Sequence, residues 1–439
     1  MENKDIELAA FCLQTAREKG ALKARVTFSR STEDLVATLN GEIDRVTHCS
    51  DCSISIALFV DGRFGSFSTN RMDRDSLEQF IDKSVNMVRM LAADEFRDLP
   101  DPSRTAKDAV KGDEMKLYDP RYTEISPSFR KETALKCSVF PSSGLVSEEG
   151  EYSDSIFETY VADTNGLSCL HTETSFDYGV EVTIEDADGE KYSGYWWTAS
   201  PMLSDFHPED CGRIALEKAR AQTGSEPAES GKYNMVIDSE VSSKMVSPIL
   251  KAINAYSLQQ KNSFLTDSLG KKLFPEGMTI IDDGRLEGQA GSKLFDSEGV
   301  ATVCDTIIDR GVISKYFVNT YMSGKTGLEP TIEEATRPHL LPWPKKGLTR
   351  EDILGMCGDG ILVTDFNGGN SNTATGNFSY GIEGFLFKDG KIVRPVSGML
   401  VTGNFLSLWD GLIACGDDNR TCKSKLIPTL AFSNVDFSG

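Results

Sequence analysis

Dipeptides of the hairpin-turn type punctuate the chain, among them Asn40-Gly41, Asp61-Gly62, Asn165-Gly166, Asp188-Gly189 and Asp389-Gly390. Such pairs supply the positive φ angles of tight two-residue turns, which commits the flanking segments to antiparallel strands. Around the first two pairs, alternating β-branched stretches predict strands over 24–29, 35–39, 53–60 and 63–67. A helix over 5–19 precedes them, with Ile6, Ala9, Ala10, Leu13 and Ala16 on one face and Gly20 placed to end it. A second helix, capped by Asp73 or Asp75, runs to about residue 91 with Leu77, Phe80, Ile81, Val85, Val88 and Leu91 as its apolar stripe. Leu99-Pro100-Asp101-Pro102 then breaks the pattern.

The plan recurs. A helix over 129–139 leads into strands over 158–162, 176–184 and 191–198, and a helix over 209–221 closes the set. The turn pairs repeat at offsets of 125 and 127 residues, from Asn40 to Asn165 and from Asp61 to Asp188. The offsets fit a duplicated helix–meander–helix unit, and they fit two unrelated hairpins equally well. After a break at 223–228, residues 241–260 read as one helix that Pro248 breaks or restarts near its beginning. Strands are expected over 279–281, 302–308, 312–317, 360–364, 384–387 and 392–396. The expected class is α+β: N-terminal helix–antiparallel-meander–helix units followed by a β-rich C-terminal domain. Its parts are 1–100, a linker over 101–124, a second unit over 125–224, and 231–439.

Charge narrows the partners. With 46 basic and 67 acidic residues among 439, the net charge of −21 repels phosphate backbones and argues against nucleic acid. The most apolar stretch, 54–60, is far shorter than the ~20 residues that cross a bilayer, so no membrane is expected. Met1-Glu2-Asn3-Lys4-Asp5 lacks the profile of a signal peptide, and ten cysteines without framework spacing read as reduced thiols. A cytoplasmic location follows as the expectation.

The search for chemistry ends without a constellation. The four histidines, His48, His171, His207 and His339, include no pair at helical spacing for a zinc hydrolase. His48-Cys49-Ser50-Asp51-Cys52 holds a Cys-x-x-Cys, which could be half a zinc site or a redox pair. It has no second Cys-x-x-Cys, and its place between two strands suits a polar turn. Gly368-Gly369-Asn370 and Gly358-Asp359-Gly360 match no phosphate-binding motif. Ser379 in Asn377-Phe378-Ser379-Tyr380-Gly381 lacks the leading glycine of a nucleophile elbow. Ser268-Leu269-Gly270-Lys271 and Lys325-Thr326-Gly327 imitate penicillin-recognising motifs, but Gly270 weakens the helix that would hold Lys271 against Ser268. Glu148-Glu149-Gly150-Glu151 reads as solvated surface.

Ordered motifs along the whole chain nevertheless resemble the TldD/PmbA family, the modulators of DNA gyrase. They are Asp61-Gly62-Arg63-Phe64-Gly65-Ser66-Phe67-Ser68-Thr69; Ser263-Phe264-Leu265-Thr266-Asp267-Ser268-Leu269-Gly270-Lys271-Lys272; and Leu294-Phe295-Asp296-Ser297-Glu298-Gly299-Val300. Thr375-Gly376-Asn377-Phe378-Ser379-Tyr380-Gly381, Asp389-Gly390-Lys391-Ile392, Thr402-Gly403-Asn404-Phe405 and Pro428-Thr429-Leu430 follow in order. The resemblance implies a heterodimeric cytoplasmic metalloprotease in which one subunit type carries a helical H-E-x-x-x-H motif, helped by a C-terminal cysteine. The PmbA-like (TldE-like) type lacks it. The motif would lie just before Ser263, yet no His and no Glu occurs between Glu240 and Glu276. The resemblance therefore implies a metal-free subunit with no cofactor of its own, zinc on a TldD-like partner, unfolded peptide as substrate, and a homodimer when the partner is absent. Cys415 and Cys422 lack histidine company and read as ordinary thiols. Asn377, Phe378, Ser379 and Tyr380 are the expected wall of a substrate chamber, where sheet edges could pair with an extended peptide. Two other readings stay open: a stand-alone homodimeric peptide- or protein-binding protein, and an autonomous enzyme using Cys49 and Cys52 or Ser379.

Overall fold

The computed structural model describes residues 3–137 and 144–439. In the N-terminal half the elements run α1 (Asn3–Glu18), β1 (Lys23–Leu39), β2 (Glu42–Val60), β3 (Arg63–Thr69), α2 (Arg74–Val88) and α3 (Pro127–Lys136). Then come β4 (Leu145–Asp163), β5 (Ser168–Glu185), β6 (Lys191–Ser200) and α4 (Cys211–Ala221). Residues 138 and 139 of the helix expected over 129–139 lie outside the described residues. The two meanders form one six-stranded sheet in the order β3-β2-β1-β4-β5-β6, joined where β1 pairs with β4 from Arg25↔Asp163 to Leu39↔Glu149.

Three expectations are corrected here. The strands expected over 24–29 and 35–39 are one strand, and the segment containing Cys49 and Cys52 is not a turn but the outer half of β2. Arg30 pairs with Cys52 and Asp34 with His48. The alternation fades there because residues 42–51 are exposed on both faces, so burial selects no apolar side. Glu148 is buried, not solvated. Its carboxylate accepts the Gly41 N–H at 3.0 Å, and its own N–H donates to Asn40 Oδ1 at 2.9 Å. The tight β1–β2 turn leaves amides and carbonyls that need partners, and β4 supplies them.

Even-numbered positions of the long strands point to one face. Val26, Phe28, Ile54, Ile56 and Leu58 pack there beneath Ala9, Cys12, Leu77 and Ile81 of α1 and α2. Tyr152, Phe176, Tyr178 and Val180 pack beneath Ala134 of α3 and Ala215 and Ala219 of α4. The opposite face is left polar, as strand periodicity dictates. Residues 101–124 do not hang free. Leu170, Thr172 and Thr174 of β5 donate their N–H groups to the carbonyls of Ala109, Gly112 and Leu117, so this segment runs alongside β5 where β6 has ended.

The C-terminal half begins with β7 (Gly231–Ile237), α5 (Ser247–Ala252) and α6 (Ala255–Gln259). The single helix expected over 241–260 is thus broken. Pro248 is tolerated in the first turn of α5, and Asn254 caps α6, its Oδ1 accepting the Tyr256 N–H at 3.0 Å. Next come β8 (Ile280–Asp283), β9 (Cys304–Asp309), β10 (Val312–Ile313), α7 (Thr320–Thr326), β11 (Pro338–Leu340) and α8 (Arg350–Cys357). The series ends with β12 (Gly360–Asp365), β13 (Gly369–Ser371), β14 (Asn377–Lys388), β15 (Lys391–Asn404), α9 (Phe405–Asp410), β16 (Leu412–Cys415) and β17 (Leu430–Ser438). The main sheet has the order β12-β7-β17-β15-β14-β13 and closes on itself where β12 also pairs with β14. Closure removes most open edges. Trp409, fully buried between Phe274 and Phe432, marks the centre of its core. The fold class is α+β with a β-rich C-terminal region, as expected. Among the described residues no helix is long and apolar enough to cross a membrane.

Candidate functional site

The polar face of the six-stranded sheet looks across a cleft at loops of the C-terminal half. Three adjoining cavities lie along it, the first of them reaching round the edge strand β6 to α4 on the helix-backed face. One of about 790 Å³ is bordered by Trp196, Trp197, Lys218, Asp238, Glu240 and Arg420. Another, of about 570 Å³, shares Trp197 and Glu240 with it and adds Glu173, Asp177, Gly291 and Lys423. The third, of about 730 Å³, shares Glu173 and Gly291 and reaches Thr27, Ser55, Thr159, His171, Ser292 and Asp296. Strand alternation explains the lining: Thr27, Ser55, Thr159, His171, Glu173, Asp177 and Trp197 are all odd-numbered positions of β1, β2, β4, β5 and β6.

Charged clamps hold the two sides together. Arg420 donates to the Trp197 carbonyl and, at 3.0 Å, to Glu240 Oε2, while its guanidinium lies 4.3 and 5.0 Å from the Trp196 and Trp197 rings. Lys423 reaches the same Glu240 oxygen at 3.3 Å. Lys218 sits 4.9 Å from the Trp196 ring, and burial lowers its pKa from the ordinary lysine value. Deeper in, Asp296 is 3% exposed and accepts N–H bonds from Glu298 and Val300, each at 2.9 Å. Burial, reinforced by the nearby Glu333 carboxylate, raises its pKa to about 7.

The residues singled out from sequence lie elsewhere or turn out to be structural. Asn377, Phe378, Ser379 and Tyr380 stand on β14 beside β13, away from these three cavities. Phe378 and Tyr380 are buried, their rings stacked at 5.6 Å, whereas Asn377 and Ser379 are exposed. Ser268 is buried and donates to the Leu265 carbonyl at 2.6 Å. Thr326 donates to the Met322 carbonyl at 2.6 Å, and Gly327 ends α7 at φ 73°, a left-handed conformation that suits glycine.

Cys49 and Cys52 sit three residues apart on a strand, so their side chains point to opposite faces and their Cα atoms lie about 10 Å apart. A disulfide needs less than about 7 Å. Cys49 is exposed, while Cys52 is half-buried and burial raises its pKa. We therefore expect Cys49 to react readily with Ellman's reagent, and mild oxidant to form no Cys49–Cys52 link detectable by peptide mapping. Cys415 is wholly buried, which pushes its thiol far above the ordinary range, and Cys422 borders the cleft. The zinc motif of the resembled family would fall on α5 and α6. Their buried positions are Ile249, Leu250, Ala252 and Ala255, and the segment holds neither imidazole nor carboxylate. Among the described residues no three His, Cys, Asp or Glu side chains gather to hold a metal, so this chain's own donors do not fit zinc.

Sequence reasoning missed the cleft. The available signal was the run of polar residues at every second position of β5, Glu173, Ser175 and Asp177, alternating with Thr174 and then with the aromatic Phe176 and Tyr178. It marks a face kept wet or reserved for contact.

Fold and cleft together define an α+β protein with a helix-backed sheet set over a closed β-domain and a polar groove between them. The chain belongs to the PmbA/TldD metallopeptidase family. Residues 24–88, 100–223 and 230–439 match, in turn, domain 1, the central domain and the C-terminal domain described for the PmbA/TldA metallopeptidases. It is 27% identical to the metalloprotease PmbA of Escherichia coli O157:H7 over 417 residues, covering 93% of this chain and 91% of that one. A solved structure from Bacteroides thetaiotaomicron, provisionally titled a modulator of DNA gyrase, is 36% identical with a TM-score of 0.94, covering 100% of this chain and 99% of its own. TldE from Thermococcus kodakarensis shares the fold at 18% identity, with a TM-score of 0.80 and coverage of 98% and 100%.

Proposed function

We propose that this chain is the metal-free, TldE-like subunit of a cytoplasmic two-subunit metalloprotease that degrades or processes unfolded peptides. One observation carries the reading: the segment where the family's zinc motif would lie buries only apolar residues and holds no His or Glu. Loss of both imidazoles and the general base leaves no partial site to work with. In this reading a TldD-like partner supplies zinc and the hydrolytic step, and this chain supplies part of the chamber wall. The groove serves as the peptide path. A second contact is the open side of β13, where Asn377 and Ser379 stand beside a strand edge suited to an extended backbone. The net charge of −21 disfavours direct DNA contact, so any effect on gyrase would pass through peptides.

Zinc per chain, measured on the protein alone, should be near zero, and the chain alone should leave β-casein intact. Mixed with a zinc-bearing TldD-type subunit, it should co-elute with that subunit and casein should be cleaved. Stoichiometric zinc with cleavage by this chain alone would overturn the proposal. A homodimeric peptide-binding role is the second reading. It is favoured by the outer edge of β2, which over residues 42–53 has no strand partner among the described residues.

A further inference from the structure

We propose that His171 and Ser292 anchor the backbone of an extended peptide in the cleft, an inference that rests on the peptide-chamber reading. His171 is 6% exposed and Ser292 1% exposed, and both border the cavity of about 730 Å³. His171 Nδ1, His171 Nε2 and Ser292 Oγ have no hydrogen-bond partner among the described residues. Glu173 Oε2 lies 3.5 Å from Nε2, within ion-pair reach of the ring but without hydrogen-bond geometry. Phe295 packs edge-on to the imidazole at 6.3 Å and fixes the ring's place.

Three unpartnered polar atoms, on two residues that border one cavity, carry a free-energy cost that the fold does not recover internally. A ligand recovers it if it both donates and accepts. A neutral imidazole offers one N–H and one lone pair, and a hydroxyl offers both, which is the complement of a peptide bond's C=O and N–H. The rest of the wall suits the same ligand, because Thr27, Ser55 and Thr159 present hydroxyls that hydrogen-bond any backbone whatever its side chains. An anionic ligand is less favoured, since the carboxylates of Glu173, Glu333 and Glu334 outnumber the cations of Arg25 and Lys293 on the cavity border. With a single imidazole and no three-ligand group among the described residues, a metal fits no better.

The test titrates the full chain into fluorescein-labelled β-casein, read by anisotropy, with thermal melts run on the same samples. His171→Leu should weaken binding about tenfold while Tm holds or rises, because an orphaned buried polar group has been replaced by an apolar one. Ser292→Ala should weaken it about threefold, and His171→Gln, which keeps a donor and an acceptor, should bind within about threefold of the parent. Binding by His171→Leu within twofold of the parent would overturn the anchor while leaving the chamber reading intact. A parallel fall in Tm and binding in both the Leu and Gln variants would overturn it in favour of a purely structural role. Failure of the parent chain to bind casein would overturn the chamber reading and the anchor with it.

Discussion

Replacing Arg130 with methionine should destabilise the N-terminal half by about 3–5 kcal/mol, the usual cost of stripping one partner from a buried ion pair. Arg130 leaves α3 and donates to Asp154 through Nε at 2.7 Å and Nη2 at 2.8 Å, while Nη2 also lies 2.9 Å from Asp34 Oδ2. Asp154 is fully buried on β4 and Arg130 nearly so. Without the guanidinium, the Asp154 carboxylate would be left charged and unpaired beneath a helix. Asp34 would fare better, because His48 Nδ1 sits 2.9 Å from its other oxygen. Urea unfolding followed by circular dichroism should show the loss, and adding Asp154→Asn to Arg130→Met should recover part of it. A loss under about 1 kcal/mol would place this pair with weak surface bridges.

Asp296→Asn should stabilise the protein, and by more at higher pH. The folded chain holds the Asp296 proton up to about pH 7, whereas the unfolded chain releases it near the ordinary value of 3.8. Between those two values the folded state binds the extra proton, so each rise in pH erodes stability until the carboxyl ionises at about 7. The asparagine variant escapes this penalty and can still accept the Glu298 and Val300 N–H bonds. Its advantage should grow by about 2 kcal/mol between pH 5.5 and pH 8, at 1.36 kcal/mol per pKa unit. That range stays clear of the isoelectric region near 4.7. Paired melts of parent and variant across it provide the check, and a pH-independent difference would refute the assignment.

Local chemistry was legible in the sequence, and assembly was not. Asp61-Gly62 and Asp389-Gly390 adopt the positive φ angles that their composition foretold, 49° and 71° for the first pair and 50° and 71° for the second. Asp73 caps α2 as anticipated, accepting the Ser76 N–H at 2.8 Å. Periodicity failed where burial is not one-sided. Residues 30–34 and 42–52 form strand although both faces meet solvent, and pairing with neighbours, not hydrophobic alternation, keeps them extended. The cleft was hidden for another reason. It joins β5 to loops near residues 291–296 and 420–425, and no local pattern reports a contact across more than a hundred residues. Two fragments of the site did show as sequence, Leu294 to Val300 as a family motif and the polar run on β5.

The place of β17 has a consequence for the order in which the protein can be made. Residues 430–438 form the last strand of the series, yet it lies inside the C-terminal sheet, hydrogen-bonded to β7 on one side and β15 on the other. A ribosome delivering about 5–20 residues per second exposes β7 roughly 10–40 s before β17 exists to pair with it. Until residue 438 has emerged, the nascent domain has a gap at its centre and two unsatisfied strand edges facing it. A chain halted anywhere before Leu430 would therefore lack the middle of its sheet, not a dispensable end, and would present chaperones and proteases with an unfinished β-domain.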